Sequence, residues 1–179
     1  MASPVKPGVH SALKQTSFWL VPTLSAAPKK TEIESVSGLY ITCFLLEDGA
    51  TGWTVSFNKG TGPRLICNES QPEVLMPTTT QGADIVGVVD PQAASGAADK
   101  KAFEFLRNGY TGFLVRRQNV LNDTADTVAV GEFVDYAPVN ISKAITDQST
   151  QTAEGVYVFR AGVAVTGDPT YNVAVVSGS

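Results

Sequence analysis

The stretch "GVYVFRAGVAVTGDPTYNVAVVSGS", residues 155–179, decides the fold. A half-exposed strand alternates apolar with polar side chains. Here Tyr157, Phe159, Ala161, Val163 and Val165 line one face, while Val156, Val158 and Ala164 leave the other mostly apolar too. Such a strand needs cover on both sides, and the cover comes from the fold itself or from another copy of the chain.

Working outward, the segments "YTGFLVRRQ" and "DTVAVGEFVDYAPV" are rich in Val and Thr and are separated by Asn, Asp and Gly, so they read as further strands. "SFWLVPTL" gives a first strand whose Pro22 confines pairing to an edge or to the strand's end. "GLYITCFLLED" is apolar on both phases, through Leu39, Ile41, Cys43 and Leu45 against Tyr40, Phe44 and Leu46, and predicts a doubly covered strand over 38–46. Trp53, Val55 and Phe57 then alternate cleanly with Thr54, Ser56 and Asn58, "NKGTGP" turns the chain and "RLICN" returns it, which predicts a hairpin over 52–68. The run 69–82 has no period and reads as a long loop of the kind kept for a partner.

"ADIVGVVD" resumes the sheet, and "GAADKKAFEFLRNG" follows with Ala98, Ala102 and Leu106 at four-residue steps and Phe103 beside them. That spacing predicts one amphipathic helix, near 97–108, stopped by Asn108-Gly109. One helix among many strands gives a mainly β fold: two packed antiparallel sheets, sandwich- or barrel-like, with a flanking α-helix. Residues 1–17 hold two prolines and no period, an extended N-terminal arm ahead of a single domain over 18–179.

Composition limits the function. At 179 residues and 18.9 kDa the chain can bury a core without staples. Only 17% of residues are charged and 43% are hydrophobic, few ions for a solitary soluble chain, so part of the exterior suits an interface. A net charge of -4 with basic residues scattered in pairs such as Lys29-Lys30 and Arg116-Arg117 opposes a phosphate-gripping surface; the pairs read as solvated faces. The N-terminal stretch lacks the apolar core of a signal peptide and no run approaches a membrane span, which predicts synthesis in a cytoplasm and no membrane partner.

Chemistry has little to work with. His10 is the only histidine and lies in the arm, Cys43 and Cys67 read as two small buried hydrophobes, and neither a nucleophile triad nor a zinc site can be assembled from them. "KGTGP" lacks the order of a phosphate-binding loop. Glu47, Asp48, Glu132 and Asp135 are candidate paired carboxylates, but Glu47-Asp48 abuts Gly49 as a turn does and Glu132 and Asp135 fall on opposite phases. No catalytic, cofactor-binding or metal residues are expected. Trp19 and Trp53 are compatible with a sugar platform on a carbohydrate- or receptor-binding sandwich, although Trp on an amphipathic strand is more often core.

The order of these features, an arm, "FWLVP", the doubly apolar strand, a hairpin with a long loop, a strand and single helix, then "FLVRR", "VAVGEFVDYAPV" and "GVAVTGDPTYNVAVV", resembles the tail tube (major tail) proteins of long-tailed bacteriophages, especially actinobacterial siphophages. The resemblance spans almost the whole chain and rests on no diagnostic motif. It implies a structural virion protein, made in the host bacterial cytoplasm, whose six copies close into a ring. Stacked rings then form a hollow tube conducting genomic DNA without specific binding, and tape measure, tail tip and terminator proteins are the further partners it implies. By position, residues 47–82 resemble the stacking-loop region and 167–179 the C-terminal arm.

On that reading the acidic balance makes Glu47, Asp48, Glu132 and Asp135 candidates for the lumen. Val156, Val158, Ala164, Pro72, Met76 and Pro77 are the candidates for contacts between subunits.

Overall fold

The computed structural model describes residues 16–46, 51–62, 73–118, 120, 127–147 and 157–178. The architecture is mainly β, built from antiparallel sheets flanked by a helix. Its centre is a six-stranded sheet in which β1 (Thr16–Val21) lies between β2 (Leu39–Tyr40) and β8 (Tyr110–Gln118), and β8 pairs in turn with β9 (Phe133–Ile141). The far side of β9 is shared by β12 (Val163–Val165) and β13 (Thr170–Ala174).

A three-stranded sheet, β10 (Ile145–Asp147), β11 (Val158–Ala161) and β7 (Ile85–Val88), packs against this centre. Between them lies the main core, with Leu20, Ile85, Leu106, Leu114, Val139 and Phe159 fully buried. Helix α2 (Ala98–Leu106) contributes Ala102 and Leu106 to it, and Phe103 meets Phe159 edge-on at 6.0 Å. Its spacing was legible because a single apolar stripe at four-residue steps has only one face to bury.

The terminal stretch answers its own question by turning a corner. Val163–Val165 pairs with β9 in the large sheet, whereas Val158–Ala161 pairs with β7 and β10 in the small one. Gly162 sits at the bend, and its N–H donates to Ser142 Oγ at 2.8 Å while its carbonyl accepts from Ser142 N at 2.9 Å. The expected single strand is therefore two, which share one inward phase, Phe159, Ala161 and Val163, across both sheets. A strand that bends at a single residue in this way lines two layers at once.

Cover for the other faces comes largely from the same chain. Trp19, Val21, Val115 and Val134 point away from the main core into a second one, closed by Ile33 of the short helix α1 (Lys30–Ile33), Val128 and Val175. Glu32 pins this cap, its Oε2 accepting from Lys29 N at 3.0 Å, Ser25 N at 3.2 Å and Ser25 Oγ at 2.9 Å. Burial works against the Glu32 charge, but these donors outweigh it and hold its carboxyl below the usual carboxylate range.

Three local expectations are corrected. Over 38–46 only Leu39–Tyr40 is strand; Thr42–Phe44 is a 3₁₀ turn, so the double apolar phase reflects a chain that changes direction, and Cys43 is exposed. The strand Gly52–Ser56 (β3) pairs with Thr79–Ala83 (β6), and Lys59–Thr61 (β4) pairs with Glu73–Leu75 (β5), so the supposed turn and much of the supposed loop are paired strands. The partner first assigned to β3, 64–68, lies outside the described residues. Nor are Arg116 and Arg117 a solvated pair: they point to opposite faces of β8, half-buried and buried.

Candidate assembly interface

Consecutive residues of a strand face opposite sides, and Arg116 and Arg117 use this to clamp both. Arg117 donates from Nη1 to Glu132 Oε2 and to the Thr127 carbonyl, each at 2.9 Å, with its guanidinium 5.2 Å from the Trp19 ring. Arg116 donates from Nη2 to Asp135 Oδ2 at 2.8 Å and lies 4.6 Å over Trp53. Asp135 also accepts from Asn172 N at 2.9 Å, and Trp53 Nε1 donates to Tyr171 Oη at 3.0 Å. The base of β3, the centre of the sheet and β13 are thus joined by one polar network.

Beyond that base, β3–β6 and β4–β5 form one two-stranded ribbon with different surroundings. Trp53 is buried and Val55 half-buried, but Phe57 is 74% exposed, and β5 is exposed throughout, with Leu75 at 78% and Met76 at 54%. The ribbon is held internally by Met76 N donating to the Asn58 carbonyl at 2.9 Å and by Asn58 Nδ2 donating to the Pro77 carbonyl and to Thr79 Oγ1, each at 3.0 Å. An isolated two-stranded ribbon is marginal in water, and one that carries Phe57, Val74, Leu75 and Met76 outward needs a surface to lie on. Its root rests on the sheet's edge, where Gly82 leaves room for the Val163 carbonyl and any Cβ would collide with it.

The expected site residues fall as follows. Met76 and Pro77 are exposed on the ribbon, and Ala164 is exposed on β12. Val158 is 1% exposed within its own chain, so nothing of it remains for a neighbour to cover. Glu132 and Asp135 lie on opposite sides of the sheet, each tied to an arginine, so neither offers a free negative charge. Glu47, Asp48, Pro72, Val156, Cys67 and His10 lie outside the described residues. Sequence reasoning missed Phe57, Val74 and Leu75: the alternation from Trp53 continues unbroken past the end of the covering sheet, and nothing in the pattern marks where cover stops.

Among the described residues no group of three or more His, Cys, Asp or Glu is placed to hold a metal, and no helix is long and apolar enough to cross a membrane. Trp19 and Trp53 are 1% and 5% exposed, which leaves neither ring open to a sugar. The chain is a sandwich that turns a corner at Gly162, with arginine-clamped central strands and an exposed apolar ribbon at one edge.

Residues 3–178 match the family model described as phage tail tube protein, and the chain belongs to that family. It is a structural component of the phage tail, and so of the virion. Among solved structures, a chain in the cryo-EM structure of the anti-feeding prophage baseplate, 6-fold symmetrised, shares the fold with a TM-score of 0.50 at 9% identity, over 95% of this chain and 96% of that one. A comparison with curated proteins finds no match.

Proposed function

We propose that this chain is the repeating subunit of the tail tube of a long-tailed, siphovirus-type phage, six copies closing into a ring and rings stacking into a hollow conduit for the genome during ejection. The observation that carries the reading is the ribbon, whose apolar side chains Phe57, Val74, Leu75 and Met76 stand exposed among the described residues. Membership of the tail tube family supports the tube, and the six-fold symmetry of the anti-feeding prophage baseplate, a chain of which shares this fold, supports the ring size. Tape measure, tail tip and terminator proteins are the other partners that a tube of set length requires, with assembly in the host cytoplasm.

The ribbon and Ala164 are the contact surfaces in this reading, with Met76 and Pro77 in contact with the adjacent ring. Replacing Phe57, Leu75 and Met76 together by serine tests it: a folded chain that no longer forms tubes in negative-stain images is expected, and tubes of normal length contradict it.

At -4 per copy, six copies carry 6 × 4, a charge of -24 per ring. An acidic bore repels phosphates, so that DNA slides without sticking. Because Glu132 and Asp135 are neutralised by their arginines, Glu47 and Asp48 are the stronger lumen candidates of the four. A basic bore on an assembled ring would end this part of the proposal.

A further inference from the structure

A groove of about 810 Å³ opens where the two cores meet, between β2, the 3₁₀ turn, α1 and α2. Tyr40, Phe44 and Phe105 stand half-buried in its walls, with Ile33 and Leu39 buried beneath them. Its size falls in the range that holds a small organic ligand, about 300–1,000 Å³. We infer that it is a binding site for a small amphiphilic anion, with a flat apolar body in the groove and one negative group against Lys101.

Three observations select that chemistry. First, a cation is left over. Lys101 lines the groove and is exposed, and among the described residues it pairs with no carboxylate. Glu34, the acid in the same lining, is already engaged: its Oε1 accepts from Val128 N at 2.8 Å and lies 3.6 Å from Lys30 Nζ. An exposed ammonium attracts an anion only weakly, so the apolar body supplies most of the affinity and the charge supplies the preference.

Second, Tyr40 Oη is shielded from water and has no hydrogen-bond partner. A shielded hydroxyl left unpaired costs stability, and a carboxylate or sulfonate oxygen on the ligand would accept from it.

Third, the groove is shaped against an extended chain. Its strand, β2, is two residues long. Gly38 closes one end, donating its N–H to the Ser35 carbonyl at 2.9 Å, and Ile41 closes the other, donating to the Phe18 carbonyl at 3.0 Å. Too little backbone is left open for an added strand to pair with, so a compact molecule fits better than a peptide. The inference needs only one folded chain and stands apart from the tube reading.

The test uses the dispersed full-length chain with two fluorescent probes of one ring frame, anilinonaphthalene sulfonate and uncharged phenylnaphthylamine. The expected result is one sulfonate probe bound per chain, with a melting temperature that rises as the probe saturates it. Lys101→Gln is expected to weaken the sulfonate about threefold relative to the neutral probe, the effect of one exposed charge contact. Tyr40→Phe is expected to weaken the sulfonate too, while the free chain melts no lower because an unpaired hydroxyl is gone.

Cys43, exposed and lining the groove, reports the location. In a Cys67→Ser chain its alkylation by iodoacetamide should slow when the sulfonate is bound, which distinguishes the groove from the exposed ribbon. An affinity ratio unchanged by Lys101→Gln, or Cys43 alkylation indifferent to the probe, overturns the inference. So does binding that appears only after residues 1–15 are removed, or that is lost as copies associate, since the chain's own arm or a second copy would then be the occupant.

Discussion

The sheet β1–β8–β9 and the ribbon β3–β6/β4–β5 are both antiparallel, and they differ in how far they are covered. In the sheet, Leu20 and Leu114 face one core while Trp19 and Val115 face the other, and all four are at most 1% exposed. In the ribbon, the same alternation that buries Trp53 leaves Phe57 outside. Alternation therefore reports which side chains share a face, and the surrounding layers alone decide whether that face is wet. The sheet is covered by its own chain; the ribbon keeps Phe57, Val74, Leu75 and Met76 exposed.

The sharpest way to break the contrast is to cut into the sheet's core. Phe159→Ala, at a fully buried position, is expected to cost about 3–5 kcal/mol in a denaturant melt. Arg117→Ala comes next, at about 3 kcal/mol, because it strands Glu132 beside the second core, with Arg116→Ala less costly since its ion pair with Asp135 is more open to water.

A smaller effect concerns acid. Glu32 is depressed in the folded chain below its ordinary 4.5, so the stability it contributes is complete above that pH and is lost as pH falls through its lower folded value. Glu32→Gln should therefore flatten the acid limb of the melting temperature measured between about pH 3 and 6. Least of all, Leu75→Ser on the ribbon should change the melt of the isolated chain by no more than about 0.5 kcal/mol, while lowering its assembly in light scattering. Were Leu75→Ser to match Phe159→Ala in the melt, the two regions would not differ in the way described.

Much of the sheet was legible. Tyr110–Gln118 and the helix at Ala98–Leu106 stand where their patterns put them, since each pattern satisfies one period along its whole length. Gly162 was misread because the inward phase runs unbroken through the corner, and parity carries no record of which layer a residue faces. Glu73–Leu75 was read as loop because a strand exposed on both sides has no apolar alternation to display, and 79–82 because its half-buried positions, Thr80 and Gly82, are not apolar. Arg116-Arg117 looked like a surface pair for a related reason: the carboxylates and indoles that neutralise and cover them come from distant parts of the chain, 15 to 19 residues away for the acids and about a hundred residues back for Trp19.

Amide hydrogen exchange, followed in the dispersed chain and again in assembled tubes, tests the central claim most directly, because it reads both regions at once. The account predicts slow exchange across Tyr110–Gln118 and Phe133–Ile141 in both states, and protection of the ribbon's outer part, 57–61 and 73–79, that appears only on assembly. A ribbon equally protected before and after assembly, or a central sheet that gains protection alongside it, would contradict the account.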